Sequence, residues 1–168
     1  MEKSLPQTTK ATDVKVPHVV ALLHELKLLT KGLVLYANVL PVLAGFLLAI
    51  AITGVPLVEH IDRLLITMLG STFIVAGALI FNNWYEVDLD RHMKRTEKRP
   101  TVTGHLSLNT VLTLGIISSV VGLGLILFVS IEAAIYAFLG WFTYVVPYTL
   151  WTKRRTTLNT AVGSLSGA

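Results

Sequence analysis

Four long runs of uncharged, apolar residues constrain this chain more than any other feature of its sequence. A helix that crosses a hydrocarbon core about 30 Å thick needs about 20 such residues, because each residue advances the helix by about 1.5 Å. Since backbone groups in lipid must satisfy their own hydrogen bonds, each run is predicted to be a membrane-spanning helix. The predicted spans cover about 33–55, 64–85, 107–130 and 133–152.

The composition of the chain agrees with a membrane protein and disagrees with a soluble domain. Hydrophobic residues make up 53% of the sequence and charged residues only 14%, whereas soluble domains carry about 25% charged residues. The chain has no cysteine, which excludes disulfides, thiol nucleophiles and cysteine-based zinc sites. We therefore predict an all-α, polytopic membrane helix bundle.

The basic residues are distributed unevenly between the predicted spans. Five precede the first span, five lie within 91–99 and three occupy 153–155, whereas Arg63 is the only one at an outer connection. The positive-inside rule then predicts a multi-pass protein of the cell membrane with its N-terminus and the Asn82–Arg99 loop in the cytoplasm. This pattern accounts for the pI of about 9.5 without a nucleic-acid partner.

The two ends of the chain carry further expectations. Residues 1–31 lack a compact apolar segment with a cleavage site, so they are predicted to be a cytoplasmic extension. Within it, 17–29 has apolar residues at helical spacing and is either a helix on the membrane surface or a lead-in to the first span. The membrane domain is expected over 32–168, with a fifth helix that begins near 160 and continues in a larger protein.

A polar motif follows the second span directly, with acidic residues first and basic residues after them. On a continued helix, Asn82, Glu86 and Asp90 are spaced at i, i+4 and i+8, so their side chains share one face. Oxygen donors without histidine or cysteine favour a hard cation, and Mg²⁺ characteristically uses one or two carboxylates with substrate phosphates and water. The motif therefore predicts a site for Mg²⁺ and a phosphorylated substrate.

Basic side chains beside these acids can hold the remaining phosphate charge. Of the five bases within 91–99, the candidates for this role are Lys94, Arg95, Lys98 and Arg99. The alternative is that these bases only set topology and that the acids form exposed ion pairs of little energy. Asn82 and Asn83 favour the functional interpretation, because two amides at the end of an apolar span are costly without a partner.

The segment from Asn82 to Asp90 resembles the first aspartate-rich motif of the UbiA superfamily of intramembrane prenyltransferases, Asn-x-x-x-Asp-x-x-x-Asp. The ending Met-x-Arg-Thr-x-x-Arg-Pro at 93–100 resembles the branch of that superfamily that farnesylates protoheme IX. A second likeness, at 148–155 and 163–168, matches the loop after the fourth helix and the start of the fifth. The resemblance covers about 31–168, and Glu86 departs from it because Asp is usual there.

The resemblance implies roles for individual residues. Mg²⁺ and diphosphate ligands would be Asn82, Glu86 and Asp90; other catalytic or substrate contacts would be Arg95, Arg99, Asn83, Asp88, Lys94 and Lys98. Asn38 is expected either to line a substrate cavity or to hydrogen-bond between helices. The family has about nine helices and a second aspartate-rich motif, which this chain does not reach, so the 168 residues alone are expected to be inactive.

The activity implied by the resemblance is transfer of a farnesyl group from farnesyl diphosphate to the vinyl group of protoheme IX (heme B), with addition of water, which gives heme O. Implied partners are farnesyl diphosphate, heme B and membrane lipid, with other heme-biosynthesis or oxidase-assembly proteins as further candidates. Two alternatives stay open. One is a prenyltransferase of the same superfamily that acts on a quinone precursor, and the other is a non-enzymatic transporter domain whose motif coordinates a transported cation.

Overall fold

The computed structural model describes residues 18–152 together with 161 and 163. The first 17 residues of the predicted extension, the basic residues 153–155 and most of the predicted fifth helix lie outside the described residues. Within the described part the helices are α1 (His18–Leu29), α2 (Gly32–Thr53), a 3₁₀ turn (Leu57–His60), α3 (Ile61–Tyr85), α4 (Val87–Asp90), α5 (Pro100–Thr103), α6 (Leu108–Val129), α7 (Ile131–Thr143) and a π-helical segment (Tyr144–Thr152).

Within the described residues, four helical segments are long and apolar enough to cross a membrane. They are Gly32–Thr53, Leu57–Tyr85, Leu108–Val129 and Ile131–Thr152. At one end of each segment, the bound lies within a few residues of the predicted one. These ends are Gly32, Tyr85, Leu108 and Thr152. The prediction of an all-α membrane bundle is therefore confirmed, and the chain is a multi-pass membrane protein.

Local capping explains where several of these helices begin and end. Gly54 ends α2 in the left-handed conformation at φ 69°, which its lack of a side chain allows, and its N–H bonds to the Ile50 carbonyl at 3.0 Å. Ser107 begins α6 by accepting a hydrogen bond from the Thr110 N–H, and Ser130 begins α7 in the same way from Ala133. These caps set the length of the spans.

Helix α3 is the centre of the bundle, because ten of its residues are buried, against one in α2 and one in α7. It packs closely against α6 through glycines. A Cβ on Gly122 would lie 2.5 Å from the Ile74 nitrogen, and one on Gly77 would collide with Ser119. Small residues thus allow close packing of the two helices here. Gly124 is an exception, since a Cβ there would meet none of the described atoms within 4 Å.

The fourth span is not a uniform α-helix, because it widens into a π-helix at Tyr144. Pro147 lies within this segment; its ring removes a backbone donor and clashes with the carbonyl of the preceding turn. Two threonine hydroxyls bond to backbone carbonyls there, Thr149 to Tyr144 and Thr152 to Pro147, both at 2.8 Å. The helix is therefore distorted around this proline, and the distortion takes the form of wider π-helical turns.

Candidate functional site

The polar motif begins where α3 ends, and its helix is interrupted at one residue. Glu86 has φ −98° and ψ 9°, so it separates α3 from the short helix α4. The expectation of one continued helix is wrong at this position. Helical hydrogen bonds nevertheless bridge the break, since the Glu86 N–H bonds to the Asn82 carbonyl at 3.1 Å and the Asp90 N–H to the Glu86 carbonyl at 2.8 Å. The spacing of the three predicted donors is therefore close to helical.

All three predicted donors are withdrawn from solvent. Asn82 is 0% exposed, Asp90 3% and Glu86 6%. By contrast, Asp88 and Leu89, between two of them, are exposed. The amide and the two carboxylates thus lie on the inner side of the segment, which is the side that the helical spacing predicted.

Arg99 returns to this segment and forms a buried ion pair with Asp90. The guanidinium is held in place by its surroundings, because Arg99 is only 8% exposed and Pro100 behind it is buried. Thr96 also connects the loop to this segment, because its hydroxyl donates a hydrogen bond to the backbone carbonyl of Asp90 at 2.8 Å. The loop at 91–99 therefore closes over the last donor of the motif and brings a positive charge to it.

The junction between α1 and α2 reaches the two asparagines of the motif from the other side. The ammonium of Lys31 donates a hydrogen bond to Oδ1 of Asn82, and Nδ2 of Asn83 donates to the Leu29 carbonyl. Lys31 was not among the predicted site residues, because in sequence it is one of several bases ahead of the first span. Only a contact across 51 residues reveals it.

Two amide atoms at this position have no hydrogen-bond partner within the described part of the chain. They are Nδ2 of Asn82 and Oδ1 of Asn83, and both residues are 0% exposed. A buried polar atom left without a partner costs about 1–3 kcal/mol. Such atoms are uncommon in folded proteins, and they indicate a place where a ligand or water completes the hydrogen bonding.

The other predicted site residues lie at the surface. Asp88 is exposed on α4, and three predicted bases are exposed in the loop that follows it: Lys94, Arg95 and Lys98. Asn38 is exposed on α2, where its amide donates to the Val34 carbonyl at 2.8 Å. The structure thus brings Asn82, Glu86, Asp90 and Arg99 together and leaves the remaining bases around them.

A cavity of about 600 Å³ lies among the spans next to the motif. Its walls include Ala78 and Leu79, one helical turn before Asn82, and it is also lined by Asn38, Ser71, Trp141 and Tyr144. Trp141 is held by a hydrogen bond from its indole N–H to the Ser119 hydroxyl at 2.9 Å and by edge-to-face contact with Phe81. Asn38 thus lines this cavity, and its role toward a substrate stays a prediction.

The donor set agrees with the coordination habits of Mg²⁺. Among the described residues there is no group of three or more His, Cys, Asp or Glu side chains that could hold a metal by themselves. Mg²⁺ does not require one, because it usually takes one or two carboxylates and completes its shell with substrate phosphates and water. Glu86 and Asp90 would supply the carboxylates and Asn82 an amide oxygen.

Comparison with known proteins places these features in a family. The family described as the UbiA prenyltransferase family matches residues 38–168. A protoheme IX farnesyltransferase of Oceanobacillus iheyensis is 49% identical over 150 residues, which are 89% of this chain and 48% of that protein. Protoheme IX farnesyltransferase 2 of Bacillus subtilis is 42% identical over 158 residues, 94% of this chain and 52% of that protein.

The chain spans about half the length of the curated relatives it matches. No solved structure gives a significant match. The family match, however, covers most of the chain and includes the whole polar motif and the spans that surround it. The chain therefore belongs to the UbiA prenyltransferase family.

Proposed function

We propose that the protein carrying this chain joins the farnesyl group of farnesyl diphosphate to the vinyl group of protoheme IX (heme B), with addition of water and release of diphosphate, giving heme O, with Mg²⁺ as cofactor. The observation that carries this proposal is the burial of Asn82, Glu86 and Asp90 on one side of the motif, one turn from an apolar cavity. The names of the similar proteins support the choice of substrates.

Charge explains why a cation belongs at this site. Two buried carboxylates, Glu86 and Asp90, would repel a diphosphate if they acted alone. Bound Mg²⁺ would supply Lewis-acid polarisation of the diphosphate and make it a better leaving group. Arg99 already lies against Asp90, where its planar guanidinium can contact a phosphate oxygen as well. Lys94, Arg95 and Lys98 would add positive charge from the exposed part of the loop.

The cavity is suited to the hydrocarbon part of the substrate. It is bounded by apolar side chains such as Ile74, Val75 and Leu79 and by the ring of Trp141. An isoprenyl chain in this cavity would have its diphosphate near Asn82, because the wall of the cavity leads to that residue within one turn of α3. Apolar walls would also keep water away from the allylic cation that forms when diphosphate leaves.

The site would lie at the cytoplasmic side of the cell membrane. Five bases within 91–99 and the acidic residues at the opposite connection, Glu59 and Asp62, support this orientation. Farnesyl diphosphate would then arrive from the cytoplasm or the inner leaflet, and its chain would enter the bundle from lipid.

An acceptor assay tests the proposed reaction. Membranes containing the protein are incubated with Mg²⁺ and labelled farnesyl diphosphate, with either heme B or an aromatic quinone precursor as acceptor. We expect label in a farnesylated heme, no label in the aromatic compound, and loss of product when EDTA removes divalent cations. Transfer to the aromatic acceptor alone would refute the proposed substrate, and no transfer to either acceptor would refute the proposed reaction.

A further inference from the structure

Lys31 holds the first donor of the motif in this structure. Its ammonium donates to Oδ1 of Asn82, which is the atom that a metal ion would need. Asn82 is completely buried, whereas Lys31 is only partly buried at the junction of α1 and α2. In this structure the cationic group that contacts this amide oxygen is therefore the side chain of Lys31.

The backbone aims Lys31 at α3. Its φ of 48° and ψ of 57° place it in the left-handed region, and within the described part of the chain no other non-glycine residue has a positive φ. This conformation costs about 1 kcal/mol or more for a residue with a side chain. Lys31 lies between the end of α1 at Leu29 and the start of α2 at Gly32, so this conformation turns the chain between the two helices and brings Lys31 to α3.

A second contact fixes the junction beside the motif. Nδ2 of Asn83 donates to the Leu29 carbonyl, and Leu29 itself is fully buried against Ile80 and Val111. The segment that carries Lys31 is therefore attached to α3 by both a hydrogen bond and apolar packing. The backbone of Lys31 therefore has a defined position, although its four-carbon side chain lets the ammonium move.

An ammonium and Mg²⁺ cannot share one amide oxygen, because two cations at that distance repel each other. We propose that Lys31 is a substrate-binding residue whose ammonium leaves Asn82 when Mg²⁺ binds there and then donates to the diphosphate oxygens. This inference rests on the proposed function. It makes Lys31 a contact to the leaving group that comes from the first span, opposite the basic loop at 91–99.

The proposal requires opposite effects on two ligands. Without the ammonium, Mg²⁺ alone meets less repulsion at Asn82, so it should bind more tightly. Diphosphate at saturating Mg²⁺ loses a charge-assisted hydrogen bond, so it should bind about tenfold more weakly. A residue that only supports the fold would weaken both ligands together.

Calorimetric titration of the purified protein in detergent tests this with Mg²⁺ alone and with inorganic pyrophosphate at saturating Mg²⁺. The variant is Lys31→Met, and Lys31→Arg should keep most of the pyrophosphate affinity because it keeps the charge. The matched control is Lys27→Met, which removes an exposed lysine one turn earlier and should change neither affinity. Equal weakening of both ligands by Lys31→Met, or no change in either, would overturn the role of Lys31.

Labelling of the unmutated protein gives a second test that does not depend on the folding of a variant. Acylation of lysines by a small reagent is followed by mass spectrometry of the peptide that contains Lys31. Mg²⁺ alone should raise the labelling of Lys31, and Mg²⁺ with pyrophosphate should lower it, while Lys27 stays unchanged. If neither ligand changed the labelling of Lys31, the result would contradict the proposal.

Failure of the proposed function and failure of the role of Lys31 give different results. If the unmutated protein does not bind pyrophosphate in the presence of Mg²⁺, the proposed function fails and the role of Lys31 fails with it. If it binds pyrophosphate normally and Lys31→Met does so equally well, the role of Lys31 fails and the proposed function stands.

Discussion

Arg99 and Asp90, nine residues apart, form an ion pair that is almost fully buried. Charges so poorly exposed to water are stable only as a pair, because removal of one partner leaves the other desolvated and uncompensated. The pair joins the end of the motif to the start of α5 and so determines the course of the loop between them. It also holds a guanidinium beside a carboxylate at the place where a charged substrate is proposed to bind.

Replacing Arg99 should therefore cost more stability than replacing any other base of the loop. We expect Arg99→Met to destabilise the protein by about 3 kcal/mol, the usual cost of breaking a buried pair. Thermal denaturation in detergent, followed by circular dichroism, measures this as a lower midpoint. The control is Arg95→Met, whose side chain is exposed and should shift the midpoint little. Equal effects of the two substitutions would show that the pair contributes nothing.

The contact between α3 and α6 gives a second prediction, for a single added methyl group. Gly122→Ala places a Cβ 2.5 Å from the Ile74 nitrogen and 2.7 Å from the Gly70 carbonyl oxygen, so the helices must move apart. Overpacking of this kind costs about 1–3 kcal/mol. Gly124→Ala is the control on the same helix and should be neutral or stabilising, since alanine favours a helix by about 1 kcal/mol over glycine. The midpoint of thermal denaturation should therefore fall for Gly122→Ala and stay the same or rise for Gly124→Ala, and a loss of stability in both variants would contradict the packing account.

Sequence reasoning found the spans because their signal is local. A run of about 20 apolar residues has one solution in lipid, and residues such as Gly54, Ser107 and Ser130 mark the ends by their own capping bonds. The fold class was predicted for this reason, whereas the family was predicted from the polar motif and the residues that follow it. The π-helix that begins at Tyr144 was not predicted, because Pro147 indicates an irregular helix but not which type of turn replaces the α-helix.

The arrangement of the acidic side chains of the motif was predicted better than that of the basic ones. Helical spacing placed Asn82, Glu86 and Asp90 on one side correctly, since hydrogen bonds of i to i+4 type persist across the break at Glu86. The bases could not be ranked, because four lie close together in sequence and only Arg99 turns inward. Lys31 was missed because its contact depends on tertiary packing of α1 and α2 on α3. The domain boundary at 31 and the metal-binding roles stay predictions.

The absence of cysteine allows a direct test of topology. Single substitutions Glu59→Cys and Lys98→Cys introduce thiols at exposed positions on the two sides of α3. In intact cells a membrane-impermeant maleimide should label Glu59→Cys and should label Lys98→Cys only after permeabilisation. Labelling of Lys98→Cys in intact cells would place the motif outside and would reverse the predicted orientation.

The cavity predicts a selective effect on the hydrocarbon part of the substrate. Ala37 lines it from α2, so Ala37→Trp should fill part of the space that an isoprenyl chain needs. We expect farnesyl diphosphate to bind about tenfold more weakly, as for the loss of about two buried methylene groups. Inorganic pyrophosphate should bind as before in the same titration. Ala44→Trp, two turns along the exposed side of α2, is the control, and equal losses in both variants would argue against this cavity as the prenyl site.

The central claim is that the buried carboxylate of Asp90, and not the exposed acid beside it, holds the metal-bound diphosphate. The most direct measurement compares Mg²⁺-dependent binding of farnesyl diphosphate to Asp90→Asn and Asp88→Asn, after size-exclusion chromatography has shown that both are folded. We predict that Asp90→Asn loses at least about a hundredfold in affinity, as expected for a metal ligand, whereas Asp88→Asn stays close to the unmutated protein. Undiminished binding by folded Asp90→Asn would contradict the account.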